Sequence, residues 1–239
     1  MPDPIDPPDQ TSVSPACPVG EAGCPFLDEL LELRTQVNLL TAQIHTDTLT
    51  GINNFRFFRQ MLEQEMERTR RTNQATALIM LDLDYFKTVN DNWGHETGNQ
   101  VLIQTARLLI EGTRRLDAPC RYGGEEFAII LPSTELITAI QVAERLRYMI
   151  ENTPLSIGNT TLKVTASFGV ASYRYHHHED ENEAAESFIR RTDEQLYRAK
   201  REGRNRVCHG TTAITDNDAN VSTEERDALF GMFGDDQDL

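Results

Sequence analysis

The segment APCRYGGEEFAIIL, residues 118–131, contains two short strand-like runs separated by Gly123 and Gly124. A Gly-Gly pair between such runs predicts a β-hairpin, because glycine adopts the positive φ angles of a tight turn at little steric cost. We therefore predict strands over residues 118–122 and 126–131, joined by a turn at the two glycines.

The sequence on both sides of this hairpin alternates between strand-like and helical patterns. Residues 75–83, ATALIMLDL, form a continuous apolar run, which is typical of a central strand covered on both faces. The remaining predicted elements are helices over 54–71, 97–112, 134–152 and 183–200, and strands over 162–172 and 206–208. This order indicates an α/β (α+β) fold with a mixed central sheet flanked by helices.

Acidic side chains mark one end of two of the predicted strands. Asp82 and Asp84 lie two residues apart, so their side chains point to the same face, and Leu83 offers only its carbonyl to a site there. Glu125 and Glu126 follow the glycines of the hairpin. If the two strands are neighbours, Asp82 and Glu125 converge. Such carboxylates suit Mg²⁺, which takes one or two protein carboxylates together with water and substrate phosphates.

The chain of 239 residues has 38% hydrophobic residues, which is enough for one domain with extensions, and a formal net charge of −15. The acidity is concentrated near the ends, because residues 26–209 hold 22 basic and 26 acidic side chains, a net charge of −4. A nearly neutral domain without a basic stripe argues against nucleic acid as a partner.

The pattern of apolar residues also predicts where the protein is found. The sequence contains neither a signal-peptide pattern nor an apolar run long enough to span a bilayer, so we expect a cytoplasmic protein with no membrane partner. Its four cysteines do not form a disulfide framework, which agrees with a reducing compartment.

The two ends of the chain differ from the predicted domain at 47–209. Residues 1–24 are rich in proline and aspartate, and we expect them to be disordered. Residues 25–46 form a predicted helix with a heptad stripe, which favours a parallel coiled coil over a helix folded back on its own domain. The stripe consists of Phe26, Leu30, Leu33, Val37, Leu40 and Ile44. Residues 210–239 form an acidic tail with a predicted short amphipathic helix, which begins at the capping box 222–225.

Several short motifs follow one another along the domain. They are DTLTG at 47–51, DLDYFKTVND at 82–91, GHETG at 94–98, RYGGEEF at 121–127, SFGV at 167–170, and then Asp193, Tyr197, Lys200, Gly203, Arg204 and Asn205. Together they resemble the GGDEF family of diguanylate cyclases, in the GGEEF form, over about residues 47–209. The resemblance implies a fold like that of nucleotidyl cyclases and polymerase palms.

The resemblance also implies a catalytic centre. Asp82, the Leu83 carbonyl and Glu125 would hold two Mg²⁺ or Mn²⁺ ions per active site. Glu126 would assist at the second metal ion or in deprotonating the attacking hydroxyl. Lys200 and Arg204, four residues apart at a predicted helix end, would bind the triphosphate from one helix face.

The other implied substrate contacts are with phosphate and base. The backbone amides of Phe86 and Lys87 would bind phosphate, Asn90 would hydrogen-bond guanine, and His95, Asn99, Gly123 and Gly124 complete the implied substrate-binding set. Where the family usually has aspartate, this chain has Asn99. Asparagine offers guanine only one acceptor and can pair with adenine, so a relaxed-specificity cyclic dinucleotide synthase is an alternative.

The implied reaction joins two GTP molecules into cyclic di-GMP, with release of pyrophosphate. Because each domain holds one GTP, ring closure requires a homodimer, which the coiled coil would provide. Arg114 and Asp117, with Arg145, match the family's product-inhibition site for cyclic di-GMP. A non-catalytic cyclic di-GMP receptor and a polymerase palm are further alternatives, but the retained acids disfavour the first and the missing basic track disfavours the second.

Overall fold

A computed structural model describes Phe26 and residues 29–36, 45–158, 160–175 and 183–210. The chain divides into two compact units, residues 1–46 and residues 47–239. In the first unit, residues 29–36 form helix α1. The disorder predicted for residues 1–24, the heptad positions Val37, Leu40 and Ile44, and the helix predicted in the acidic tail lie outside the described residues.

The second unit is a mixed sheet with helices on both faces. Its helices are α2 (Phe55–Thr72), α3 (Phe86–Trp93), α4 (His95–Glu111), α5 (Leu136–Asn152) and α6 (Ala185–Arg201). Its strands are β1 (Thr76–Leu83), β2 (Ala118–Gly123), β3 (Glu126–Leu131), β4 (Leu155–Ile157), β5 (Thr160–Leu162), β6 (Ala166–Tyr173) and β7 (Val207–His209). Among the described residues, no helix has the length and apolar content that crossing a bilayer requires.

The five-stranded sheet has the order β2-β3-β1-β6-β7. All its pairs are antiparallel except β6 with β7, which is parallel, so the sheet is mixed as predicted. β1 is the central strand and is buried along its whole length. The continuous apolar run at 75–83 therefore correctly indicated a strand covered on both faces.

The two faces of β1 belong to different clusters of the core. Ile79 and Leu81 pack on the side of α3, α4 and α5. Leu78 and Met80 pack on the other side with residues of α2 and α6. Because side chains alternate along a strand, Asp82 continues the face of Leu78 and Met80, at the point where that apolar layer ends.

Two local predictions were wrong, and one helix was missed. The hairpin turn is Gly124–Glu125, because Gly123 belongs to β2 and the β2–β3 register shifts next to it. The strand predicted over 162–172 begins too early: β6 starts at Ala166, and Leu162 is the last residue of β5, which pairs with β4 in a separate small hairpin. Helix α3 was not predicted, because in eight residues only Phe86 and Val89 are buried, which is too short a pattern to show a period.

Candidate active site

The carboxylates predicted to share a site lie at one end of the sheet. Asp82 is directly opposite Glu126 in the β1–β3 pair, so their side chains point to the same face. The Leu83 N–H donates to the Glu125 carbonyl at 3.4 Å, which brings the hairpin turn against the end of β1. Asp82 is 8% exposed, whereas the Leu83 side chain is fully buried in the core.

The negative charges at this end of the sheet disfavour one another's ionised forms. Burial raises the pKa of Asp82, and a hydrogen bond from Lys200 opposes this effect. Burial and the neighbouring charge of Asp82 raise the pKa of Glu125. The same two causes raise the pKa of Glu126, to which Asp193 adds a further negative charge. Like charges held partly out of water favour the binding of a cation.

Lys200 is the cation closest to these carboxylates in the described site. Its Nζ lies 2.8 Å from the Asp82 Oδ2, and it belongs to the last turn of α6. One ammonium group balances one of the three carboxylates Asp82, Glu125 and Glu126. The site is therefore left with a net negative charge that a metal ion would neutralise.

The prediction that Lys200 and Arg204 share a helix face was wrong. Helix α6 ends at Arg201, and Arg204 follows in the left-handed region with φ 62°. The Arg204 guanidinium carbon lies 4.5 Å from the ring centroid of Tyr85, and its Nη1 donates to the Tyr85 hydroxyl at 3.3 Å. Arg204 also acts electrostatically on Asp82, where it lowers the pKa. The two cations thus approach the site from different backbone segments.

Helix α3 begins directly after β1. Phe86 and Lys87 are its first two residues, and no side chain hydrogen bond caps this helix end. The first N–H groups of a helix lack acceptors within the helix and favour an anion. At the hairpin turn, Gly124 has φ 36°, and a Cβ there would meet no atom within 4 Å. The space directly beside Gly124 is therefore open.

The residues expected at the base lie around the junction of α3 and α4. A Cβ on Gly98 would overlap the Asn90 Oδ1, so the glycine allows the Asn90 side chain to lie against the first turn of α4. Asn99 follows on that turn and is half-buried, while His95, the first residue of α4, is exposed. The structure thus brings Asn90 next to the segment that carries Asn99.

An ion pair links the DTLTG turn to the hairpin, and the sequence alone gave no sign of it. Arg121 Nη1 donates to both carboxylate oxygens of Asp47 at 3.1 and 3.2 Å. The Arg121 Nε and Nη2 donate to the Gly124 carbonyl at 3.1 and 2.8 Å. Burial raises the pKa of Asp47, but hydrogen bonds from Thr50 and Arg121 outweigh it and lower the pKa. Arg121 therefore holds the turn that carries Glu125.

The Asp84 carboxylate accepts three hydrogen bonds from other protein groups. It accepts from the Thr165 and Ser167 hydroxyls, both at 2.7 Å, and from the Asn205 N–H at 3.1 Å. The Asn205 side chain also donates to Glu151 on α5 at 2.9 Å. Asp84 thus holds the segment that contains Arg204 against the end of β1.

Arg114, Asp117 and Arg145 come together at the turn between α4 and β2. The Arg114 N–H donates to the Asp117 Oδ2 at 2.7 Å, and the Asp117 N–H donates back to the Arg114 carbonyl at 3.0 Å. Arg145 Nη2 donates to the Gly112 carbonyl at 2.6 Å. Burial raises the pKa of Asp117, and the charges of both arginines oppose this. Both arginines are exposed, so their donors can reach an anion in solvent.

The site near Asp82 fits a divalent ion that is shared with a ligand. In the part of the chain that the structure describes, no group of three or more histidine, cysteine, aspartate or glutamate side chains could hold a metal ion by itself. Mg²⁺ commonly uses only one or two carboxylates and completes its shell with water and phosphate oxygens. Asp82 and Glu126, which lie opposite each other in the β1–β3 pair, and Glu125 on the adjoining turn supply the carboxylates for such a partly built site.

Comparisons with known proteins agree with this geometry. The model of the family described as "Diguanylate cyclase, GGDEF domain" matches residues 44–206. The response regulator PleD of Caulobacter vibrioides is 38% identical over 164 residues, which cover 68% of this chain and 35% of PleD. Diguanylate cyclase DgcP of Pseudomonas aeruginosa is 40% identical over 162 residues, covering 68% of this chain and 23% of DgcP.

A solved structure is similar over a longer part of the chain. It is the coiled coil and GGDEF domain of DgcB from Caulobacter crescentus in complex with c-di-GMP, with 30% identity and a TM-score of 0.69. The match covers 77% of this chain and 94% of that one. The chain spans about a third or less of the length of PleD and DgcP. On the family model and these relatives, the chain belongs to the diguanylate cyclase GGDEF domain family.

Proposed function

We propose that this chain is a diguanylate cyclase, which condenses two GTP molecules into cyclic di-GMP and releases pyrophosphate. The observation that carries this proposal is the carboxylate cluster of Asp82, Glu125 and Glu126 beside Lys200 and the N-terminus of α3. This arrangement offers acids for metal ions and, next to them, positive groups for phosphates. The names of the relatives support the same reaction.

The carboxylates of Asp82 and Glu125, with the Leu83 carbonyl, would hold two divalent ions, Mg²⁺ or Mn²⁺. When bound, these ions stabilise the negative charge on the attacking and leaving oxygens. Glu126, whose pKa is raised by burial and by Asp82, would accept the proton of the attacking 3′-hydroxyl. Its alternative role is support of the second ion.

The triphosphate would lie between the hairpin turn and α3. Lys200 and Arg204 supply positive charge, while the amides of Phe86 and Lys87 supply directed hydrogen bonds. Such contacts neutralise the phosphates and orient the α-phosphate for attack. In phosphoryl transfer, this combination of position and electrostatics accounts for most of the catalysis that a protein supplies.

Closure of the ring requires two GTP-loaded domains, so the active form would be a homodimer. The described heptad residues Phe26, Leu30 and Leu33 are 64%, 49% and 49% exposed, which leaves their apolar faces available to a second chain. The DgcB structure, which contains a coiled coil, supports the same role for residues 25–46. If a coiled coil pairs the domains, activity per chain should rise with protein concentration through the monomer–dimer transition.

Arg114, Asp117 and Arg145 would form an inhibitory site for cyclic di-GMP. The Arg114–Asp117 turn is held by two hydrogen bonds of its own, so the backbone from which the exposed Arg114 guanidinium projects is fixed before the product binds. Arginine can engage a phosphate or the Hoogsteen edge of guanine with two parallel hydrogen bonds. Product binding here would limit accumulation of cyclic di-GMP.

The presence of asparagine at position 99 favours a second candidate function, that of a cyclic dinucleotide synthase that also accepts ATP. The residue is half-buried next to the Gly98–Asn90 contact, so it lies where the base is expected. We expect Asn99→Asp to raise the ratio of GTP to ATP turnover several-fold, because aspartate accepts two hydrogen bonds from guanine. An unchanged ratio would show that residue 99 does not read the base.

The decisive experiment is product identification by mass. The purified protein is incubated with Mg²⁺ and GTP, ATP or both, over a range of protein concentrations. Cyclic di-GMP from GTP alone is the expected product. Mixed or adenine-only cyclic dinucleotides would support the second candidate. Binding of cyclic di-GMP without any product would contradict catalysis and indicate a receptor.

A further inference from the structure

Tyr85 combines a strained backbone with an exposed ring. Its φ is 56°, in the left-handed region that an aromatic residue rarely adopts, and its side chain is 64% exposed. A side chain with a Cβ is strained in this region, so some other feature must favour tyrosine there. Neither burial of the ring nor a helix-capping bond of its side chain accounts for tyrosine at this position.

The contact that the ring does make is with Arg204. The guanidinium carbon lies 4.5 Å from the ring centroid, and the Tyr85 hydroxyl accepts from the Arg204 Nη1 at 3.3 Å. Stacking covers one face of the planar guanidinium and leaves its other N–H groups at the edge, where they can donate to phosphate oxygens.

The backbone of Arg204 is held from the other side. Its N–H donates to the Ala199 carbonyl at 3.0 Å, which ties it to the end of α6. The next residue, Asn205, donates from its backbone to Asp84 and from its side chain to Glu151. With the backbone fixed in this way, the long side chain of Arg204 is the mobile part, and Tyr85 restricts it.

We propose that Tyr85 is a positioning residue that holds the Arg204 guanidinium towards the nucleotide triphosphate; this inference rests on the proposed function. The left-handed backbone at Tyr85 has a second effect, because it precedes the amides of Phe86 and Lys87 at the start of α3. One residue thus orders two groups that bind phosphate, the guanidinium through its ring and the helix N-terminus through its backbone.

Substitutions at position 85 separate the ring from the backbone. Asparagine tolerates the left-handed region, so Tyr85→Asn removes the ring while the backbone conformation is retained. Tyr85→Phe keeps the stacking ring and removes only the hydroxyl. We expect KM for GTP to rise about two- to fivefold in Tyr85→Asn with little change in kcat, and to stay within about twofold in Tyr85→Phe.

Two controls identify Arg204 as the partner. Tyr148→Asn removes a ring that is 62% exposed on α5, and it should leave KM unchanged. In an Arg204→Ala background, Tyr85→Asn should add no further increase, because the two residues act as one unit. A KM like that of the wild type in Tyr85→Asn, or full additivity with Arg204→Ala, would overturn the proposal.

The experiment also distinguishes failure of this inference from failure of the proposed function. Isothermal titration with a non-hydrolysable GTP analogue and Mg²⁺ measures triphosphate binding without turnover. If the wild type binds the analogue but makes no cyclic dinucleotide, the cyclase proposal fails. The role of Tyr85 is then judged by the same two- to fivefold loss of affinity, about 0.4–1 kcal/mol, in Tyr85→Asn. Equal affinity in the two proteins, or no binding to either, overturns the inference.

Discussion

The two turns that flank β2 both carry charged side chains, but they hold those charges in opposite ways. At the hairpin turn Gly124–Glu125 and the first residue of β3, Glu125 and Glu126 lie beside Asp82, and the three share one nearby ammonium group. In the arginine turn, residues 112–117, Asp117 accepts the Arg114 N–H, and the charges of Arg114 and of Arg145 on α5 oppose its raised pKa. The clustered carboxylates at the hairpin turn are only partly neutralised, so they favour a cation. The arginine turn is held by its own hydrogen bonds, so the Arg114 side chain can bind an anion.

Removing one acid from the hairpin turn should have the largest effect. We expect Glu125→Gln to lower the rate of cyclic di-GMP formation about 100-fold or more, because the charge proposed to bind metal at the reacting centre would be lost. The rate is measured at saturating GTP and Mg²⁺, with product followed by mass.

The matched control for this loss is Glu63→Gln. The Glu63 side chain is 62% exposed and contacts Arg59 only at 3.9 Å, so its charge contributes little. This variant should keep the wild-type rate. Retained turnover in Glu125→Gln would contradict the assignment of the hairpin turn as the catalytic centre.

Changing the arginine turn should affect regulation and spare catalysis. In Arg114→Ala we expect the inhibition constant for cyclic di-GMP to rise about tenfold or more, since a bidentate contact is lost, while the initial rate without product stays the same. Arg115→Ala, which removes the exposed neighbouring arginine, is the control. Equal product inhibition in Arg114→Ala and the wild type would show that this turn is not an inhibitory site.

The smallest effect concerns thermal stability. The raised pKa values of Asp82, Glu125 and Glu126 mean that their protonated forms favour folding, and that this stability is lost as pH rises through the folded-state pKa values. At neutral pH, Mg²⁺ bound at the proposed site would relieve the repulsion. At about ten times its Kd it should raise Tm by about 3–5 °C, and the gain should shrink in acid as protons compete.

Glu125→Gln sharpens this measurement. It removes one of the repelling charges, so its Tm without metal should be equal to or slightly above that of the wild type, while its gain with Mg²⁺ should be smaller. If Glu125→Gln has a lower Tm than the wild type and the same increase in Tm with Mg²⁺, then repulsion between the carboxylates does not destabilise the hairpin turn. Thermal melts at pH 5 and pH 7.5 provide the comparison.

Local patterns in the sequence predicted much of the fold. The apolar run at 75–83 and the glycines at 123 and 124 indicated the central strand and its neighbouring hairpin, because alternation and turn chemistry are properties of adjacent residues. The break between β5 and β6 was missed, since β5 pairs with β4 and leaves the main sheet. Pairing depends on the rest of the fold, which a run of apolar residues does not report.

Gly169 is a second residue whose role could not be predicted from the sequence. It was recognised there only as part of the motif SFGV. In the structure, a Cβ there would overlap the backbone of α6 at Thr192 and Leu196, so glycine is what lets this helix approach β6 closely. That approach places Lys200, on the last turn of the same helix, beside Asp82.

The sequence by itself determined the mixed α/β fold and the acids at the ends of β1 and the hairpin, because periodicity, glycine turns and strand ends are local. Only the tertiary structure decided which distant groups meet. Arg121 reaches Asp47 across 74 positions, and Arg204 reaches Tyr85 across 119. Each of these contacts depends on how sheet and helices pack, so no spacing within the chain reveals it.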